Sequence, residues 1–219
     1  MNYKQNIKAF APLDEKDSLE LLQGAEIKHF DAGRIIEDEV DKFNGVYFIL
    51  NGVVKIKRFS AATGISTMAL LGEGRKVGLE EQLKGNKTTR TISAVTDVSV
   101  LYFSNQIFET LFLKNDRYLK SVMKWLCDEL EQREQRILNF LKNEVPGRLA
   151  KILTSESFKN KNVFLSKELN LEDMATLCGT NKVYLSNSIK KLVKAKVLDY
   201  NKTRLIILNS TELKNLIKI

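Results

Sequence analysis

From about residue 20 to 105, apolar and polar positions change places over short distances. The runs are "HFDAGRIIE", "GVYFILNGVVKIKRF", "ISTMALLGEG" and "TTRTISAVTDVSVLYF", and eight of the eleven glycines lie between Gly33 and Gly85. In "VVKIKRF", Val54 and Ile56 alternate with Lys55 and Lys57, the period of a strand with one buried face. Many short strands with closely spaced turns predict an antiparallel sandwich or barrel. From about 115 to 143 the period becomes helical. No glycine or proline interrupts "NDRYLKSVMKWLCDELEQREQRILNFLKN", and Asn115 followed by Asp116 forms an N-terminal cap. Leu119, Val122, Leu126, Leu130, Ile137 and Leu141 fall at steps of three and four, with Arg133 in the vacant place between 130 and 137. A seam of that length with charges on its flanks predicts a helix packed on another helix, hence a homodimer, rather than one packed only on its own barrel.

Pro146 suits the first turn of a new helix but not the continuation of the old one, which puts a domain boundary between residues 1–143 and 144–219. Beyond it, "PGRLAKILTSESF" predicts a helix with Leu149, Ile152 and Leu153 inward. "NLEDMATLCG" predicts another, capped by Asn170, acidic in its first turn at Glu172 and Asp173, and closed by Gly179. "TNKVYLSNSIKKLVKAKVL" predicts a third after a short turn, and "LDYNKTRLIILN" a hairpin turning at 201–203. Two helices across a tight glycine turn followed by a hairpin make a winged helix-turn-helix. The fold class is α+β: a β-rich first domain, a long dimerisation helix and a C-terminal winged helix-turn-helix.

Charge sharpens this division. Of the net +8, residues 1–143 carry +1 and residues 144–219 carry +7; between 180 and 204 seven basic residues face only Asp199. The second half is therefore expected to meet a polyanion. On a 100° wheel, Leu185, Ile189 and Leu192 fall within about 60° of arc. Thr180, Val183, Asn187, Lys190 and Lys194 project opposite, with Tyr184, Ser186 and Lys191 on the shoulders and Lys182 near the N-terminus. A solvated face ordinarily mixes both signs of charge and has little use for an exposed valine. This one offers lysines for phosphates, amides and hydroxyls for base edges, and an apolar group for a thymine methyl, so double-stranded DNA is the expected partner. Thr180, Asn181, Lys182, Val183, Tyr184, Asn187, Lys190, Lys191 and Lys194 form the candidate reader, and Lys202 and Arg204 of the wing add phosphate contacts.

Other chemistry finds little support. The single histidine, His29, reads as a surface strand residue, with one axial haem ligand as the alternative; Cys127 and Cys178 match no metal or redox spacing and read as packed side chains. No G-x-x-x-x-G-K-[ST] phosphate loop occurs, and the adjacent Glu80 and Glu81 would face opposite sides of a strand, so an enzyme is not expected. The start of the chain does not look like a targeting signal, and the longest apolar run, "VYFIL", is far short of the roughly 20 residues that span a bilayer, so the expected setting is the cytoplasm without a membrane partner.

Taken in order, "FDAGRII", "YFILNGVVKI", "LLGEGRKVGLEEQL", the long helix, "VPGRLAKIL" and the helix-turn-helix resemble the cyclic-AMP receptor protein/FNR (Crp/Fnr) family of bacterial transcription regulators over nearly the whole chain. The resemblance implies a cyclic-nucleotide-binding-like β-roll (jelly roll), a dimerising helix, a DNA-binding domain and contact with RNA polymerase. It also marks an effector pocket at Gly78, Glu80, Thr88, Thr89, Arg90, Arg133 and Glu134. Here the chain departs from members that bind cyclic AMP. Leu79 stands where a glutamate follows the glycine, with Glu80 one place late; Thr88 and Thr89 stand where an arginine and its hydroxyl partner hold the phosphate, and Arg90 is two places on. Lys87, Thr89 and Arg90 remain as an alternative anion pocket, Arg133 and Glu134 replace hydroxyl residues near the adenine, and cyclic AMP is not the expected effector. No cysteine precedes Cys127, which argues against an iron–sulfur cluster; the effector is left open. In the reader, Val183 replaces a family glutamate and Asn187 an arginine, so the family's familiar operator is not expected. The alternative is a cyclic-nucleotide-binding signalling module without DNA function.

Overall fold

The computed structural model describes residues 13–39, 42–61, 64–85, 89–155, 165–201 and 204–218. Two compact units result, one built from residues up to Ile56 with Leu70–Gln132, the other from Lys57–Ala69 with Arg133 onward. The first begins with helix α1 (Glu15–Leu22), then strands β1 (Glu26–Phe30), β2 (Ile35–Glu37) and β3 (Gly45–Asn51), followed by β4 (Val54–Ser60) and β5 (Gly64–Leu71), which run from this unit into the second. After β6 (Lys76–Val77) come the short helix α2 (Leu79–Leu83), β7 (Arg90–Ala94), β8 (Val98–Ser104), α3 (Asn105–Phe108) and a π turn over Glu109–Leu113. The strands form two four-stranded sheets, ordered β1-β8-β3-β6 and β2-β7-β4-β5, the sandwich expected of the glycine-punctuated runs and the β-roll that the resemblance implies.

Apolar faces that each element must bury meet in one core: Leu21 of α1, Val46 and Phe48 of β3, Leu101 and Phe103 of β8, Phe108, Phe112, and Tyr118, Val122 and Trp125. Its centre is aromatic, with Phe48 edge-on to Trp125 at 5.3 Å and Phe108 stacked on Phe112 at 4.7 Å. The last three core residues belong to helix α4 (Asp116–Lys142), whose 27 residues span the expected long helix. Val122 is 1% exposed and turns into this core, so it is not part of an outward seam. The residue that takes its place is Met123, 60% exposed. One step along a helix is 100°, and α4 carries two apolar faces side by side: Tyr118, Val122 and Trp125 inward, Met123, Leu130, Ile137 and Leu141 outward. The strand expectation needs a similar correction at Lys55, which is buried with its neighbours Val54 and Ile56 rather than lying on a polar face.

The second unit contains α5 (Val145–Leu153), α6 (Leu171–Leu177), α7 (Lys182–Lys194), the hairpin β9 (Leu198–Tyr200) and β10 (Leu205–Ile207), and α8 (Ser210–Asn215). Pro146 sits in the first turn of α5, where no intrahelical donor is needed. Leu149, Leu153, Met174, Ala175, Cys178, Leu185, Ile189, Leu198, Leu205 and Leu213 are buried and make the core of the unit. Among the described residues, no helix is long and apolar enough to cross a membrane.

Candidate nucleic-acid interface

Two caps and one glycine set the helix-turn-helix. Asn170 accepts the Glu172 and Asp173 amides at the start of α6 at 2.9 and 3.0 Å, while Asp173 in turn accepts the Asn170 amide at 3.2 Å, a complete capping box. At the far end Gly179 has φ +60°, and a Cβ there would stand 2.4 Å from Cε1 of Phe140. Both the left-handed backbone and the close ring demand glycine. Gly179→Ala is expected to destabilise the protein by about 2–5 kcal/mol, the sum of a left-handed penalty and overpacking, read as a lower melting temperature. Asn181 caps α7 by accepting the Tyr184 amide at 2.8 Å, so its carbonyl oxygen is already committed to the helix.

Leu185, Ile189 and Leu192 are buried as the wheel requires, and Ser188 joins them with its hydroxyl bonded to the Tyr184 carbonyl at 3.0 Å. Asn181, Lys182, Val183, Tyr184, Asn187, Lys190, Lys191 and Lys194 are all exposed, Val183 at 72%, while Thr180 is half-buried. A valine so exposed at the start of a capped helix, among lysines on a helix that contains no acidic residue, has the composition of a groove reader. In the wing, β9 pairs antiparallel with β10. The turn closes through Asn201, whose amide donates to the Arg204 carbonyl at 2.9 Å and whose side chain accepts the Arg204 amide at 3.0 Å, leaving the Arg204 side chain exposed. Lys202 lies outside the described residues.

Of the residues expected in the effector pocket, Gly78, Glu80, Thr89 and Arg90 are described within the first unit. Gly78, with φ +94°, opens α2, and the next three residues are helical, so Glu80 and Glu81 do not face opposite sides of a strand. Instead both turn to Arg90 on β7: Glu80 hydrogen-bonds its guanidinium, and Glu81, itself buried, lies 3.4 Å from it. The arginine nearest the expected phosphate position is therefore already neutralised by two carboxylates. Thr89 is exposed beside it. Thr88 and Lys87 lie outside the described residues, and Arg133 and Glu134 lie on the part of α4 that belongs to the other unit. His29 is exposed on β1, its Nδ1 2.9 Å from the Ser99 hydroxyl. Cys178 is buried, which pushes its thiol up to about 12 and leaves it unreactive. Cys127, expected to be packed, is exposed on α4 because it falls on the polar flank beside the outward stripe.

Residues 27–115 match the cyclic nucleotide-binding domain family. The Global nitrogen regulator of Synechococcus elongatus is 23% identical over 195 residues, covering 86% of this chain and 88% of that protein. Its counterpart in Nostoc sp. is 24% identical over 188 residues, covering 83% and 84%. Among solved structures, a Crp/Fnr-family transcriptional regulator from Thermus thermophilus superposes with a TM-score of 0.67 at 19% identity, covering 87% of this chain and 97% of that one. The chain carries a cyclic nucleotide-binding domain within the Crp/Fnr fold. The matches to the curated relatives cover 83% or more of the chain, so the similarity is not confined to residues 27–115.

Proposed function

We propose that this protein is a homodimeric, sequence-specific DNA-binding transcription regulator of the Crp/Fnr type, with residues 1–143 as sensor and dimerising part and 144–219 as DNA-binding part. The observation that carries the reading is the solvent face of α7, where lysine and amide side chains surround an exposed valine and no acid intervenes. Lys190, Lys194, Lys202 and Arg204 hold phosphates, whereas Lys182, Val183 and Asn187 on the first turns reach bases. Replacing Lys190, Lys194 or Arg204 by alanine should weaken binding about equally on every duplex and lower the slope of log K against log salt by about one unit. Titrations at several salt concentrations check this; a loss confined to one sequence would make that residue a base reader instead. The regulator works in the cytoplasm and contacts RNA polymerase.

Cyclic AMP is not its effector. A cyclic phosphate entering beside Gly78 would have to displace Glu80 and Glu81 from Arg90, or be buried against carboxylates. Calorimetry is expected to show no binding of cyclic AMP at micromolar concentration, and a micromolar dissociation constant would overturn this assignment.

A further inference from the structure

Strand β5 is the last strand of its sheet among the described residues, so one row of its backbone donors and acceptors has no strand beside it there. In the second unit, helix side chains take up part of that row. The Thr67 amide donates to the Thr176 hydroxyl of α6 at 3.1 Å, and the Met68 carbonyl accepts from Arg136 at 3.0 Å. Side chains add to the grip. The Thr67 hydroxyl donates to Oδ1 of Asp173 at 2.6 Å, and the Lys57 ammonium on the neighbouring strand lies 3.1 Å from the same oxygen. Asp173 is 4% exposed and Thr67 3%, so their hydrogen bond is desolvated, while the Lys57 side chain reaches the same carboxylate from a half-buried position. The other oxygen of Asp173 completes the capping box of α6. One carboxylate thus fixes the first turn of α6 and ties that turn to the β4–β5 hairpin.

We infer that Lys57 and Thr67 are positioning residues for DNA reading, acting through Asp173. The inference rests on the regulator reading above. Helix α6 leads through the tight Gly179 turn directly into α7, so whatever fixes α6 also fixes the angle at which α7 is offered. The hairpin grips α6 and leaves the solvent face of α7 open: Lys182, Val183, Asn187 and Lys190 all stay exposed in the gripped state. The gripped state is therefore the one that reads DNA, and the hairpin lowers the cost of ordering the reader before it binds.

The test uses the full-length chain and a duplex selected by it from a random pool, beside a scrambled duplex. Lys57→Met combined with Thr67→Val keeps the bulk of both side chains and removes the hairpin's two polar contacts with Asp173. Affinity for the selected duplex is expected to fall about tenfold, with the scrambled duplex and the salt slope little changed, and amide exchange in α6 faster. A merely structural contact would shift the melting temperature and leave the ratio of the two affinities alone, which would overturn the inference. A second variant guards against misfolding: Thr67→Cys with Thr176→Cys, in a Cys127→Ser background, joins the hairpin to α6 under oxidation. The cross-linked protein should bind the selected duplex at least as tightly as its reduced form; loss of binding on cross-linking would make the grip an inhibitory one and contradict the inference. If the unaltered protein bound no duplex selectively, the regulator reading would fall first, and this inference with it.

Discussion

Glutamate at Leu130 and Ile137 is expected to leave a folded monomer that no longer holds its operator. Both residues are about three-fifths exposed, and with Met123 and Leu141 they form a stripe along α4 that water covers in a single chain. Leu119 and Leu126 are half-buried at the same spacing, and Arg133 occupies the remaining place, so the stripe has the heptad step of a two-stranded seam. Neither Leu130 nor Ile137 belongs to the aromatic core, so their replacement should spare the fold. In a dimer each α7 reaches one half-site, and the second contact forms at the high effective concentration set by the first. Losing that advantage should weaken operator binding by at least about a hundredfold. Sedimentation gives the mass and a titration the affinity. A double variant that remained dimeric would place the interface elsewhere.

Asn187→Ala carries the second large effect. Asn187 lies one turn into α7 on the exposed face, its amide able to donate and accept at once as an adenine edge requires. Val183, one turn earlier, is placed to cover a thymine methyl. The half-site should therefore be rich in A·T pairs at these positions. Removing the amide should cost about 1–3 kcal/mol on the selected operator and little on scrambled DNA. Equal losses on both duplexes would show that Asn187 does not read a base.

How much of this is legible in the sequence depends on how local its causes are. Gly179, Asn170 and the buried stripe of α7 act within a few residues, and their spacing carries both the motif and its exposed face. The long helix is legible as a helix, but a three-and-four rhythm fits Val122 as well as Met123 when two apolar faces run side by side. Only the aromatic core beneath, assembled from distant strands, decides which turns inward. The stretch after Gly78 reads wrongly as a strand because "LEEQL" is too short for its period to separate the two, and the helix it forms brings both carboxylates to Arg90. The contact of Lys57 and Thr67 with Asp173 has no signal at all. More than a hundred residues separate its partners, and nothing in the local pattern of either marks the other.

The central claim is that α7 reads a sequence. Its most direct measurement is a pair of titrations, on a duplex selected by the protein from a random pool and on the same duplex scrambled, at about 0.15 M salt. The account predicts a ratio of affinities of about a thousand or more, with the selected sites arranged as two inverted halves about one helical turn apart. Equal affinity for the two duplexes, with no sequence enriched by selection, would contradict it.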